Sequence, residues 1–233
     1  MSLGQINREK WDKIFMISRQ SGKYNKYPAE HIVVFMAKNY YKAPSRDKIR
    51  VLEIGCGSGC NLRYLCEEGF KVYGIDHSIE ATELSVEYLK NSDCTAEISV
   101  QCATSLSYED NFFNVCLDNN SIHCNTSHDI GSIFNEILRV LKPGGKFFGI
   151  MASDECDEFG KGKKIDPLTF DFSQVKTFRG QFDGFPIIHF FSKKELEELG
   201  SRFSYYQLEH NLYTLETGSN RSPLCYWFVE FVK

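Results

Sequence analysis

The chain has 233 residues, with 27 Lys or Arg against 31 Asp or Glu, for a formal charge of −4 with histidine neutral. At 25% charged and 42% apolar it has the composition of a folded enzyme of one domain, which excludes disorder and collagen-like repeats, and it lacks the basic excess that nucleic-acid backbones demand. Its longest apolar run, Ile32 to Ala37, is too short for a bilayer, residues 1 to 20 are too charged for a signal peptide, and the nine cysteines, without a CxxC pair, read as free thiols rather than zinc ligands.

In chain order, a helical pattern begins at Trp11, Ile14 and Phe15, and a second runs from Pro28 through Ile32, Phe35, Met36 and Tyr40, with the proline placed in the first turn. From residue 49 to 151, short apolar runs alternate with helical periods, the pattern of parallel strands joined by crossover helices. The predicted strands are Ile49 to Ile54, Val72 to Asp76, Ala96 to Cys102, Phe113 to Asp118 and Lys146 to Met151. Between them, Leu62, Leu65 and Cys66 form one apolar stripe, Ile79, Thr82, Val86 and Leu89 a second, and Ile130, Ile133, Phe134, Ile137, Leu138 and Leu141 a third. Pro143-Gly144-Gly145 stops the last helix. Residues 153 to 191 lose periodicity and fill with phenylalanine, glycine and charge, as a cover or insertion would. Ser192 to Glu195 form a capping box, and two strand-like runs, Phe203 to Leu212 and Leu224 to Val232, flank the turn-rich Thr217 to Asn220 as an edge hairpin. The expected class is α/β, a doubly wound Rossmann-like sheet.

Chemistry concentrates in Val51-Leu52-Glu53-Ile54-Gly55-Cys56-Gly57-Ser58-Gly59, a strand running into alternating glycines and then a helix. A dinucleotide fingerprint would read GxGxxG; this loop reads GxGxG, with Glu53 two residues ahead, a carboxylate that suits a cationic amine better than a pyrophosphate. A nicotinamide-dependent oxidoreductase on a related fold is therefore the weaker reading. Asp76 ends the next strand, where an acid accepts both hydroxyls of a ribose. Together these describe a site for a nucleoside carrying a charged amino-acid tail, as in S-adenosylmethionine.

These residues, with Phe112 to Val115, Asp118 to His123 and Leu141 to Gly145, resemble the class I S-adenosylmethionine-dependent methyltransferases over about Ile49 to Ile150. The resemblance implies a seven-stranded sheet whose last hairpin reverses one strand. It also implies that Glu53, Gly55, Cys56, Gly57 and Gly59 hold the methionine end, Asp76 the ribose, and His77 lies beside the adenine. The third strand of that family normally ends in an acid for the adenine amine. Cys102 stands there instead, leaving the backbone of Ala103 and Thr104 for the base and Leu106 to pack on it. Asn61, Ser78, Asn119 and Tyr27 complete the expected cofactor set, Tyr24 and Tyr27 as part of a cover. Asn114 reads as structural.

Asn119, Asn120 and His123 fall where the departing methyl would be, and His123 is a candidate base, a pocket wall or a packed residue. His189, in an apolar patch, is the other candidate base or substrate contact, unless it is a satisfied structural histidine. The expected organisation is an N-terminal helical cover (1–45), a cofactor-binding core (46–152), an insertion or lid forming the substrate pocket (153–191), and a helix and hairpin completing the same domain (192–233). The expected function is methyl transfer to a small-molecule acceptor, oxygen ahead of nitrogen, with S-adenosylhomocysteine as product. The alternatives are a protein or transfer-RNA acceptor, although no NPPY-like tetrad follows the fourth strand, and a non-catalytic homologue that keeps the cofactor. A cytoplasmic monomer or homodimer with no metal, membrane or nucleic-acid partner completes the expectation.

Overall fold

The computed structural model describes residues 3–92, 94–178, 180–218 and 220–233. Two helices lead, α1 (Leu3–Ser21) and α2 (Glu30–Tyr40), followed by β1 (Arg50–Ile54), α3 (Cys60–Glu67), β2 (Lys71–Asp76), α4 (Ile79–Lys90), β3 (Ala96–Val100), β4 (Phe113–Asn119), α5 (Ser127–Val140) and β5 (Leu141–Ala152). Three short strands, β6 (Lys163–Lys164), β7 (Thr169–Asp171) and β8 (Ile188–His189), precede α6 (Lys193–Gly200) and the closing pair β9 (Tyr205–Thr217) and β10 (Asn220–Val232). The main sheet has seven strands in the order β3-β2-β1-β4-β5-β10-β9. Strands β1 to β5 are parallel, and β10 enters antiparallel to β5 and to β9. No helix among the described residues is long and apolar enough to cross a membrane.

This is the Rossmann-like sheet expected from the sequence, and the reversed last strand is in place. Its two faces are sealed by separate apolar clusters, one around Phe134, Phe147 and Phe231 under α5, the other around Ile32, Leu62, Phe148 and Phe228 under α2 and α3. Because β1 lies between β2 and β4, with Ile54 beside Ile75 and beside Asp118, the carboxyl ends of three strands open side by side. That edge is where ligands bind in open α/β sheets.

Several expectations shift in detail. Pro28 precedes α2 rather than joining its first turn, since Ala29 caps that helix and Glu30 begins it. The stripe assigned to α4 holds at Thr82 and Leu89, but Ile79 and Val86 are exposed, and the buried face is completed by Ala81, Leu84, Ser85 and Tyr88. Small side chains win there because α4 passes close to the glycine loop, with Ser85 Oγ donating to the Gly57 carbonyl at 3.0 Å. Pro143-Gly144-Gly145 ends α5, yet it sits inside β5 as an irregularity, Phe113 pairing with Leu141 and Val115 with Lys146. Asn114 holds this bulge, its Oδ1 accepting from Arg50 N and Lys142 Nζ at 3.0 and 2.9 Å. Finally, Ser192 caps α6 by accepting from Glu195 N, whereas the Glu195 carboxylate turns to His189 instead of closing the box. Both strands of the closing hairpin are longer than expected. Ser219, in its turn, lies outside the described residues.

The phenylalanine-rich stretch folds as a small three-stranded sheet with its own core, in which Phe170, Phe172, Phe182 and Phe190 are buried against Cys124, Cys156 and Cys225. Only Phe159 and Phe178 of that group are exposed enough to count as surface. Burial therefore predicts that Phe134→Ala, inside the main core, costs about 3–5 kcal/mol. Val86→Ala, on the outer side of α4, should stay within about 0.5 kcal/mol. Urea unfolding of the two variants checks the α4 face, because a large loss at Val86 would restore the stripe read from the sequence.

Candidate functional site

The cleft forms where β1, β2 and β4 end. A volume of about 320 Å³ is lined by Glu53 and the loop from Gly55 to Ser58, by Asp76 and His77, by Gln101, Cys102 and Ala103, by Asn119 to Ser121 with Cys124 and Asn125, and by Trp11, Phe15, Ser18, Tyr24 and Asn25 from the N-terminal segment. Gly55 and Gly57 have φ of +67° and +54°, a region that glycine enters without penalty. At Gly55 the space matters as much as the torsion: a Cβ there would lie 1.9 Å from Ser121 Oγ, so the loop after β4 packs directly on the loop after β1. Gly59 has a packing role, capping α3 where a Cβ would meet Ser85 Oγ at 2.6 Å.

Three carboxyl groups define the electrostatics. Glu53 is buried; its Oε1 accepts from Asn61 Nδ2 at 2.6 Å, while Oε2 has no partner. Desolvation pushes its pKa up to about 8, against the opposing hydrogen bond from Asn61. Asp118 is buried too, its Oδ1 taking Ser121 N and Ile122 N at 3.0 and 2.9 Å and its Oδ2 taking nothing, and desolvation lifts it to about 7. Asp76 accepts from Gly57 N at 3.0 Å and Ser78 N at 2.9 Å, and burial raises its pKa as well. Desolvation also lowers the pKa of the neighbouring His77. Glu53, the under-paired acid of the lining, favours a cationic ligand, which would restore its ionised form.

Most of the residues predicted from the sequence converge on this cleft, namely Glu53, Gly55, Cys56, Gly57, Asn61, Asp76, His77, Cys102, Ala103 and Asn119. Asn61 also fixes the approach of α2, its Oδ1 accepting from Ala29 N at 2.8 Å. Ser78 stands behind the wall as the cap of α4, its hydroxyl donating to Asp12 at 2.6 Å. Thr104 is outside the lining but touches it through Cys102 Sγ at 3.0 Å, and Leu106 is buried in the core beneath. Tyr27 is 80% exposed and takes no part in the wall, a place held by Tyr24 and Asn25.

Neither candidate histidine lines the cleft. His123 is buried edge-on to Phe182, its Nδ1 lacks a partner, and desolvation drives its pKa down to about 3, helped by the nearby His189. It is a neutral ring at physiological pH. His189 belongs to another network, with Thr169 Oγ1 2.8 Å from its Nδ1 and the Glu195 carboxylate 2.9 Å from its Nε2. The lining also includes groups that the sequence reading did not assign to the site. Trp11, Phe15 and Ser18 share one face of α1 at spacings of four and three, which in sequence reads only as an apolar stripe, and Gln101 looks like an ordinary strand end.

A seven-stranded sheet with its last strand reversed, ending in an acid-flanked glycine cradle, defines a Rossmann-like methyltransferase fold. Residues 51–145 match the family described as "Methyltransferase domain". A phosphoethanolamine N-methyltransferase of Triticum aestivum is 32% identical over 136 residues, 55% of this chain and 26% of that protein. The sterol 4-C-methyltransferase strm-1 of Caenorhabditis elegans is 28% identical over 120 residues, 49% of this chain and 35% of that protein. The match thus spans only about a quarter to a third of the length of these relatives. A solved S-adenosylmethionine-dependent methyltransferase from Methanosarcina mazei superposes with a TM-score of 0.61 at 24% identity, covering 78% of this chain and 91% of that one.

Residues 51–145 thus resemble a methyltransferase domain, set in the fold of a solved S-adenosylmethionine-dependent methyltransferase, and that likeness implies S-adenosylmethionine as cofactor. The cleft fits that cofactor: Glu53 Oε2 is a buried acceptor without a donor, at the wall of a cleft where an amino-acid ammonium would supply one.

The raised carboxyls carry a pH signature. Glu53 and Asp118 bind protons more tightly in the folded than in the unfolded chain, so the stability they contribute is complete below about pH 4 and is lost as pH rises through about 7 and 8. The Tm of the ligand-free protein should fall from about pH 4 to about pH 8 and level off above that, and Glu53→Gln should flatten the slope. S-adenosylhomocysteine, whose ammonium would pair with ionised Glu53, should raise Tm by an increment that grows over the same range in the native protein and not in the variant. Thermal unfolding across pH, with and without this ligand, reads all three slopes.

Proposed function

We propose that this protein transfers the methyl group of S-adenosylmethionine to a small-molecule acceptor. The observation that carries the reading is the continuity of the cleft, which runs from the acid-flanked glycine loop to an asparagine-rich lip after β4. In this reading Glu53, oriented by Asn61, receives the ammonium, and Asp76 receives the ribose hydroxyls in exchange for its present bond to Gly57 N. His77 lies beside the adenine, and backbone groups around Cys102 to Thr104 take its edge. The bound cofactor supplies an electrophilic methyl on a sulfonium. The protein's own contribution is positioning and the exclusion of water, for which Trp11 and Phe15 on α1 and the loop at Gly55 are placed.

A small acceptor is supported by the names of the relatives, which act on phosphoethanolamine and a sterol, and by the short, self-packed segment over 153–191. A cytoplasmic monomer or homodimer without nucleic acid fits the composition. As to the acceptor atom, oxygen stood ahead of nitrogen on the sequence alone. An oxygen acceptor requires a base, and the two histidines that offered one lie outside the lining. Support therefore moves toward nitrogen.

Calorimetric titration with S-adenosylhomocysteine beside NAD is the direct test: saturable binding of the first and none of the second is expected. Asp76→Ala should weaken that binding by about 1.5–3 kcal/mol for each charged hydrogen bond lost. Unchanged affinity in the variant would remove Asp76 from the ribose site, and silence from S-adenosylhomocysteine in the native protein would end the methyltransferase reading.

A further inference from the structure

The lip after β4 carries an unusual residue. Asn120 has φ of +62°, one of two non-glycine residues with positive φ among the described ones, a conformation that costs side-chain-bearing residues free energy unless the surroundings hold it. The surroundings do hold it: Asp118 Oδ1 accepts from the amides of Ser121 and Ile122, clamping the chain on the far side, and Asn120 Nδ2 donates to Asn119 Oδ1 at 3.0 Å. The other end of the same side chain, Oδ1, is buried and has no partner, although Asn120 lines the cleft. A buried amide oxygen left unpaired costs free energy that a ligand N–H or O–H recovers. Its neighbour Ser121 is the residue that a Cβ on Gly55 would strike, so this lip abuts the cradle where the methyl donor's amino-acid end belongs.

We propose that Asn120 Oδ1 receives an N–H of the methyl acceptor, and that the acceptor is accordingly an amine. This rests on the methyltransferase reading and adds the acceptor class to it. The choice of amine over alcohol follows from proton arithmetic. A hydroxyl has one proton; given to an amide oxygen, which is too weak a base to remove it, that proton stays on the nucleophile. A neutral amine gives one N–H to Asn120 and keeps its lone pair free. The nitrogen then forms its bond to the methyl carbon as the carbon–sulfur bond breaks, with that electron pair passing to sulfur; the nitrogen, now cationic, sheds a proton to solvent. No base in the lip is needed, and its side chains, Asn119, Asn120, Ser121, Cys124 and Asn125, include no carboxylate and no imidazole. Aromatic walls from Trp11 and Phe15 suit an acceptor with an apolar body.

The test uses the whole chain saturated with S-adenosylhomocysteine and titrated with benzylamine, then the chain with methyl-labelled S-adenosylmethionine offered benzylamine, phenol and thiophenol in parallel. Asn120→Gly removes the amide while relaxing the backbone torsion, so it should fold at least as well as the parent. It should bind S-adenosylhomocysteine within about twofold of the parent while benzylamine affinity and kcat/KM fall by about tenfold, the loss of one hydrogen bond. Asn120→Asp, which keeps an acceptor oxygen in place, should retain amine recognition. The native protein should label the amine and neither of the other probes. Labelling of phenol or thiophenol without the amine, absence of benzylamine binding, or an Asn120→Gly variant that handles benzylamine like the parent would each overturn the assignment. Failure of S-adenosylhomocysteine itself to bind would instead bring down the methyltransferase reading beneath it.

Discussion

Three carboxyl groups stand side by side, almost out of water, at the ends of three adjacent parallel strands, and much of the molecule is arranged around that fact. Burying Glu53, Asp76 and Asp118 is unfavourable, and the strand order β2-β1-β4 leaves no way to spread them apart. Each is partly compensated from within: Asn61 serves Glu53, the amides of Gly57 and Ser78 serve Asp76, and the amides of Ser121 and Ile122 serve Asp118. Those same bonds shape the two loops that form the site. The glycine loop is drawn toward β2 by Asp76, and the lip after β4 is wound around Asp118. The compensation stops short at Glu53 Oε2 and Asp118 Oδ2, so the fold carries a deficit of hydrogen-bond donors at its catalytic edge.

The reach of the N-terminal helices follows from the same edge. Asn61 links Glu53 to the backbone of Ala29, tying the cap of α2 to the site, and Ser78 links the end of β2 to Asp12 on α1. Arg19 then fastens the other end of α1 to Glu80, Glu83 and Glu87 on α4, an exposed cluster whose individual pairs contribute little but which together set the helix across the cleft. The face presented inward, Trp11, Phe15 and Ser18, is thus placed by polar contacts at Asp12 and Arg19 together with the packing of Trp11 on Phe185.

How much of this the sequence disclosed depends on whether the signal was local. Strand runs, the alternating glycines, Glu53 and Asp76 are consecutive or a fixed number of residues apart, and they could be read because the chemistry needs them at that spacing. The closing hairpin was legible from two runs and a turn, and the reversal of its last strand within the sheet from the family resemblance. The stripe of α4 was legible only at Thr82 and Leu89, because Ala81 and Ser85 are buried for their small size beside the glycine loop, and a count of large apolar residues passes over them in favour of Ile79 and Val86. The histidines stayed open between catalytic and structural roles for a related reason. His123 and His189 lie in sequence where reactive groups are expected, but whether an imidazole reaches solvent or a neighbour is settled by residues far away in the chain, Phe182 for one and Glu195 with Thr169 for the other.

The adenine end shows how a departure from the family's pattern is absorbed. With Cys102 in place of the expected acid, Gln101 is the one polar side chain of that segment in the lining, and it is already committed: its Nε2 donates to Ser99 Oγ and its Oε1 accepts from Ser107 N. Cys102 is itself engaged with Thr104. In the proposed reading the base is therefore left to the backbone between Cys102 and Thr104, a segment held by the turn that Ser105 N closes on the Cys102 carbonyl at 3.1 Å. A backbone pair reads an exocyclic amine and a ring nitrogen through geometry alone, without a charge.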